Sequence, residues 1–88
     1  MTLLNKPIEV TAYLDSAGII KPVNFKNTNE DGSTTLFKIQ RSIRRDKEKL
    51  GEGTYIYTFT CEICVDGKTV LCDLKYDVQT KEWLLFRM

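Results

Sequence analysis

Apolar and polar residues alternate with a period of two over much of this chain. In Pro7–Leu14 (PIEVTAYL), Ile8, Val10, Ala12 and Leu14 share one parity and Glu9, Thr11 and Tyr13 the other. Successive strand side chains point to opposite faces, so this pattern predicts a half-buried strand. Asp15-Ser16-Ala17-Gly18 follows as a turn, with Gly18 free to take positive φ. A second strand is predicted over Ile19–Phe25, with Ile19, Val23 and Phe25 inward and Lys21 as the exception. Pro22 has no N–H to give to a ladder, which predicts an edge, a bulge or a kink there. Lys26–Ser33 (KNTNEDGS) reads as a polar loop. A third strand is predicted over Thr34–Arg44, with Phe37, Ile39 and Ile43 on one face. Arg41 falls on that same face, which suits a barrel rim or a carboxylate partner. Arg45–Gly53 reads as an irregular connection.

The stretch TYIYTFTCEICVDGKTVLCDLKYDV, Thr54 to Val78, reads as a hairpin. Asp66-Gly67 is a two-residue turn signal, since a type I′ turn needs positive φ at both positions. A tight turn there pairs Val65 with Lys68, Ile63 with Val70, Cys61 with Cys72, Phe59 with Leu74 and Tyr57 with Tyr76. In that register the apolar sets of the two strands coincide. Tyr55, Tyr57, Phe59, Cys61, Ile63 and Val65 face Val70, Cys72, Leu74 and Tyr76, while Thr58, Thr60, Glu62 and Cys64 turn outward with Asp73, Lys75 and Asp77. A slip of one residue destroys the match. Asp77–Lys81 supplies a turn, and a sixth strand is predicted over Glu82–Met88 (EWLLFRM).

Six short strands separated by turn signals predict an all-β fold, an antiparallel meander. A sheet with one apolar face and no helix to cover it must curl on itself. The expected architecture is a small half-open barrel or a strongly curled sheet, a single domain over residues 1–88.

The hairpin decides how its cysteines are read. Cys61 and Cys64 have CxxC spacing, but strand residues three apart point to opposite faces and cannot chelate one ion. A zinc site needs four ligands, and a redox CxxC belongs at a helix start. Cys61 and Cys72 are expected as direct cross-strand neighbours, within disulfide reach, and read as two buried thiols in a reducing setting. Three cysteines do not make a disulfide framework.

Composition narrows the function classes. The 88 residues are 42% hydrophobic and 28% charged, ordinary for a soluble globular domain. The net charge of +1 leaves any electrostatic preference to a local patch. No secretion signal opens the sequence and WLLF is far too short to span a membrane, so a cytoplasmic setting and no membrane partner are expected. The chain has no histidine, which removes the usual general base and commonest metal ligand. No phosphate loop or nucleophile elbow is present. No catalytic residue, cofactor or metal is assigned, and the chain is not expected to be an enzyme.

Two features are candidates for binding. Lys38, Arg41, Arg44, Arg45 and Lys47, with Lys49 and against Asp46 and Glu48, form the one clear charge asymmetry. They read either as a nucleic-acid contact, through phosphates, or as a solvated face. Exposed aromatics such as Tyr13 or Trp83 would add base stacking. In the last strand Trp83 and Leu85 alternate with Leu84 and Phe86, so both faces are apolar. Either the strand is covered on both sides, or Trp83 and Leu85 form an exposed protein contact for a partner or a second copy.

Gly18, Pro22 and Phe25 form a Gly-x-x-x-Pro-x-x-Phe segment. Leu74-Lys75-Tyr76-Asp77, a turn and then Trp83–Phe86 close the chain. In these motifs the chain resembles small uncharacterised bacterial proteins, a domain-of-unknown-function group, some encoded beside translesion DNA polymerases. The resemblance implies an all-β fold, a bacterial cytosolic setting and an accessory role in DNA repair, and it supplies no catalytic residues. The expected function is a small non-catalytic interaction module that binds a protein, or itself, through a sheet edge or an apolar patch. The alternative is a nucleic-acid accessory module using residues 38–49.

Overall fold

The computed structural model describes all 88 residues, as six strands and no helix. The strands are β1 (Leu3–Leu14), β2 (Ile20–Thr28), β3 (Thr34–Gly51), β4 (Thr54–Val65), β5 (Lys68–Asp77) and β6 (Trp83–Arg87). Each pairs antiparallel with the next, and β6 returns to β1 to close a barrel. An even number of strands makes this closure possible, because a meander then brings its first and last strands together in opposite directions. No helix is long and apolar enough to cross a membrane.

The central hairpin has the register its turn dictates. Asp66 and Gly67 take φ of 50° and 78°, and Cys61 pairs with Cys72, Phe59 with Leu74 and Tyr57 with Tyr76. The inward residues of β4 and β5 make up much of the core: Phe59, Cys61, Ile63, Cys72 and Leu74, joined by Phe25, Trp83 and Leu85. Trp83 lies 4.7 Å from Tyr76 and 5.6 Å from Phe59 between ring centroids, and Phe37 packs 5.2 Å from Phe25. A barrel of six strands is narrow enough for these side chains to fill it.

Three sequence expectations change. Trp83 and Leu85 do not form an exposed patch: they are 9% and 0% exposed. Closure of β6 onto β1 and β5 turns their face into the barrel, leaving Leu84 and Phe86 on the outside. The side chains of Lys75 and Arg87 lie over the Phe86 ring. In β2, Val23 is left without a partner between Thr11–Asn24 and Ala12–Pro22 pairs, and is 40% exposed. This bulge beside Pro22 sends Pro22 and Ile20 inward in place of Val23. Arg45–Gly53 is not an irregular connection, since β3 continues to Gly51. Its second half lacks an apolar stripe because neither face is buried, and it is held by pairing with Tyr55–Phe59.

Three bulges shape β3. Its register against β4 shifts between Ile39 and Arg41, between Ser42 and Arg44 and, near its end, between Lys49 and Gly51, leaving Gln40, Ile43 and Leu50 as the extra residues. Bulges bend and twist the strand that carries them. β2 pairs with β3 only from Asn24–Lys38 to Thr28–Thr34, so the two strands part where the bulges begin. From Ile39 to Gly51, β3 is paired with β4 alone.

Candidate functional site

The parting of β2 and β3 opens a sheet edge on a bulged, charged strand. Gln40 to Gly53 are all exposed. Beside the edge lies a notch of about 330 Å³, lined by Ile19, Ile20 and Lys21 on one side and Ser42, Ile43, Arg44 and Arg45 on the other, with Phe59 and Asp15. Asp15 is held in its turn. Its Oδ1 accepts the amides of Ile19 and Ala17 at 2.9 Å each, and Lys21 Nζ lies 3.4 Å from Oδ2. These hydrogen bonds, chiefly that from Ile19, hold its carboxyl below the usual carboxylate range. A second hollow of about 280 Å³ opens at the barrel mouth, where Arg45 meets Leu14, Ile20, Tyr57 and Tyr76. Arg45 lines both.

The bulge at Gln40 and the plain alternation beyond Ile43 sort the charges of β3 between its two faces. Beyond Gln40, Arg41 stands opposite Glu62 on the outer face and pairs with it at 2.9 Å. Beyond Ile43, Arg44, Asp46 and Glu48 stand opposite Thr60, Thr58 and Ile56 on the outer face, and Arg44 pairs with Asp46 at 2.9 Å. Arg45, Lys47 and Lys49 stand opposite Phe59, Tyr57 and Tyr55 on the inner face. None of these three makes an ion pair. Instead Lys47 Nζ lies 4.0 Å from the Tyr55 ring centroid and 6.0 Å from that of Tyr57, with Arg45 Cζ 5.3 Å from Tyr57. Cations over ring faces are attracted by the ring quadrupole.

The predicted cationic contact therefore does not form one surface. Lys38 lies opposite Asn24, within the paired part of β3 and exposed, on the outer face with Arg41 and Arg44. Only Arg45 and Lys47 lie together on the inner face, and Lys49 joins them. Tyr55 and Tyr57 were not candidates from sequence. The signal was present in Arg45-Asp46-Lys47-Glu48-Lys49, where charge alternates in sign with the period of a strand.

The cysteines behave as the hairpin requires. Cys61 and Cys72 are fully buried and free, and Cys64 is exposed on the other face. Burial pushes the Cys61 thiol up to about 11 and Cys72 to about 12, so both are protonated and unreactive near neutral pH.

Asp73 lies on the outer face opposite Thr60, as expected, yet is only 1% exposed. Thr60 Oγ1 donates to its Oδ1 at 2.7 Å, and Arg87 donates to Oδ2 through Nε at 2.8 Å and through its second guanidinium nitrogen. This cluster closes the outer side of the β4–β5–β6 sheet, with both Asp73 carboxylate oxygens taken. Comparison of the chain with protein-family models, with curated proteins and with solved structures gives no match.

Proposed function

We propose that this protein is a non-catalytic interaction module that captures an extended segment of a partner protein along the open edge of β3. The observation that supports it most is that β3 is paired on one side only from Ile39 to Gly51, and that every residue of this stretch beyond Ile39 is exposed. An unpaired edge presents a row of N–H and C=O groups, and an added strand satisfies them without any further rearrangement. At about 3.3 Å per residue the edge is long enough for a partner segment of eight or more residues. The chain brings no histidine or nucleophile–base pair to the notch or the mouth.

A nucleic-acid accessory role is the second reading, favoured by Arg45, Lys47 and Lys49 without carboxylate partners, the first two over tyrosine rings. It has less support, because Arg41 and Arg44 are spent on Glu62 and Asp46. It also leaves the backbone edge without partners.

The test is a selection of random extended peptides on the full chain, followed by an amide NMR titration with the peptides obtained. Shifts concentrated on residues 39–51 are expected. Shifts confined to β5 and β6, or to the loops, would overturn the edge as the binding site.

A further inference from the structure

The open edge offers a partner two very different faces. On the inner face it carries Arg45, Lys47 and Lys49, all cations without carboxylate partners. On the outer face it carries Arg44, Asp46 and Glu48, the first two already paired. We infer that the segment captured here is an acidic strand with carboxylates at alternate positions, which stand opposite Arg45, Lys47 and Lys49. This rests on the strand-addition reading above.

The spacing follows from the geometry of sheets. Directly opposed residues of neighbouring strands share a face, with Cβ atoms about 4.5–5.5 Å apart, and opposite charges there attract. Three cations at every second residue therefore select carboxylates at every second residue. A continuous acidic run is a poorer fit, because its intervening carboxylates meet Asp46 and Glu48 on the outer face. The cations are partly ordered before binding, since Tyr55 and Tyr57 hold Lys47 and Arg45 in place. Side chains already ordered lose less entropy when a partner arrives.

The same geometry argues against a second copy of this chain. If two β3 edges pair antiparallel about a twofold axis, inner-face residues always meet inner-face residues. In every register that lays residues 45–49 of one copy against residues 45–49 of the other, a cation of one copy stands opposite a cation of the other. Like charges directly opposed destabilise the pairing, so self-pairing through this segment is disfavoured and an acidic strand favoured.

The experiment uses the full chain and five labelled peptides of equal length, read by fluorescence anisotropy at low salt. One alternates Glu with Thr and Val, one has the same composition with its Glu residues contiguous, one carries Gln in place of Glu, and two are N-methylated forms of the first, blocking the amides of the odd or of the even residues. The alternating peptide is expected to bind about tenfold tighter than the contiguous and the Gln peptides. Lys47→Glu should remove that advantage while the protein's amide spectrum stays dispersed. Blocking one set of amides should abolish binding and blocking the other should not, because an added strand pairs along one edge.

Equal binding of the alternating, contiguous and Gln peptides, with one N-methylated set inactive, would overturn the acidic-strand inference and leave strand addition standing. Binding indifferent to both N-methylated sets, or no binding by any peptide, would overturn both. Tighter binding of oligothymidylate than of any peptide would also overturn both, and would mark the inner face as a phosphate-binding face.

Discussion

Arg41 and Glu62 face each other at 2.9 Å on the outside of the barrel, although Arg41 shares its parity with the inward-facing Phe37 and Ile39. The extra residue Gln40 is the cause. A bulge passes one residue without a partner, and the side chains after it change face relative to the simple count, here until the bulge at Ile43 restores it. Arg41 is thereby removed from the core and placed beside a carboxylate. The Arg41 side chain is 68% exposed, so the pair contributes little. A double-mutant cycle with Arg41→Ala and Glu62→Ala should give a coupling of about 0.2–1 kcal/mol that fades with salt. A coupling of several kcal/mol would mean that Arg41 is buried.

Backbone amides should report the open edge directly. Between Arg44 and Lys49, where the pairing with β4 is regular, alternate amides point toward β4 and the others toward solvent. Hydrogen exchange should therefore divide this segment into protected and fast-exchanging residues in strict alternation. In the middle of β4 and β5, both sets should be protected. Uniform protection across residues 44–49 would show that the edge is covered in solution.

Leu85 separates a core role from a surface role for the last strand. It is fully buried, and Leu85→Ala should destabilise the fold by about 2–5 kcal/mol in urea unfolding. Leu71 is 42% exposed on the outer face, and Leu71→Ala should change stability by less than about 0.5 kcal/mol. Equal effects of the two substitutions would contradict the closure of β6 onto the barrel.

Asp73 depends on Arg87 and Thr60 for its burial. Arg87→Ala leaves the carboxylate with the Thr60 hydroxyl as its one remaining side-chain donor, at a cost of about 1–3 kcal/mol. Asp73→Asn combined with Arg87→Ala should recover part of that loss, because no uncompensated charge then remains. A double variant worse than Arg87→Ala alone would show that Asp73 is stabilised by groups other than Arg87.

The thiols predict a pH dependence at the alkaline end. Burial raises Cys61 and Cys72 above the ordinary thiol value of 9.0, so the folded state favours their protonated forms. That contribution is complete below pH 9.0, shrinks as pH rises past it, and is lost once pH passes the folded values of about 11 and about 12. The thermal midpoint should fall above about pH 9, and less so in Cys72→Ala. At neutral pH a thiol reagent should modify Cys64 alone until denaturant is added. Rapid modification of all three in the native protein would contradict the burial of the β4–β5 face.

The sequence by itself determined the local order of this protein. Period-two alternation marked the strands, Asp66-Gly67 fixed the register of β4 against β5, and that register placed Cys61 and Cys64 on opposite faces. These are properties of neighbours along the chain or across one tight turn, where geometry leaves a single arrangement. The strand β3 was legible only where a core face shaped its pattern. Its second half, Arg45 to Gly51, has charged residues on both faces and was recognisable only through the partner that pairs with it. Tertiary structure also decided which apolar face of β6 is buried, since Trp83 and Leu85 gain their cover from the closure of β6 onto β1. It decided the fate of the basic segment as well. The bulge at Gln40 sends Arg41 to the outer face with Arg44, and the bulge at Ile43 restores the plain alternation that keeps Arg45, Lys47 and Lys49 on the inner face; a register shift depends on both strands of a pair. The same bend parts β3 from β2 and leaves the edge on which the proposed function rests.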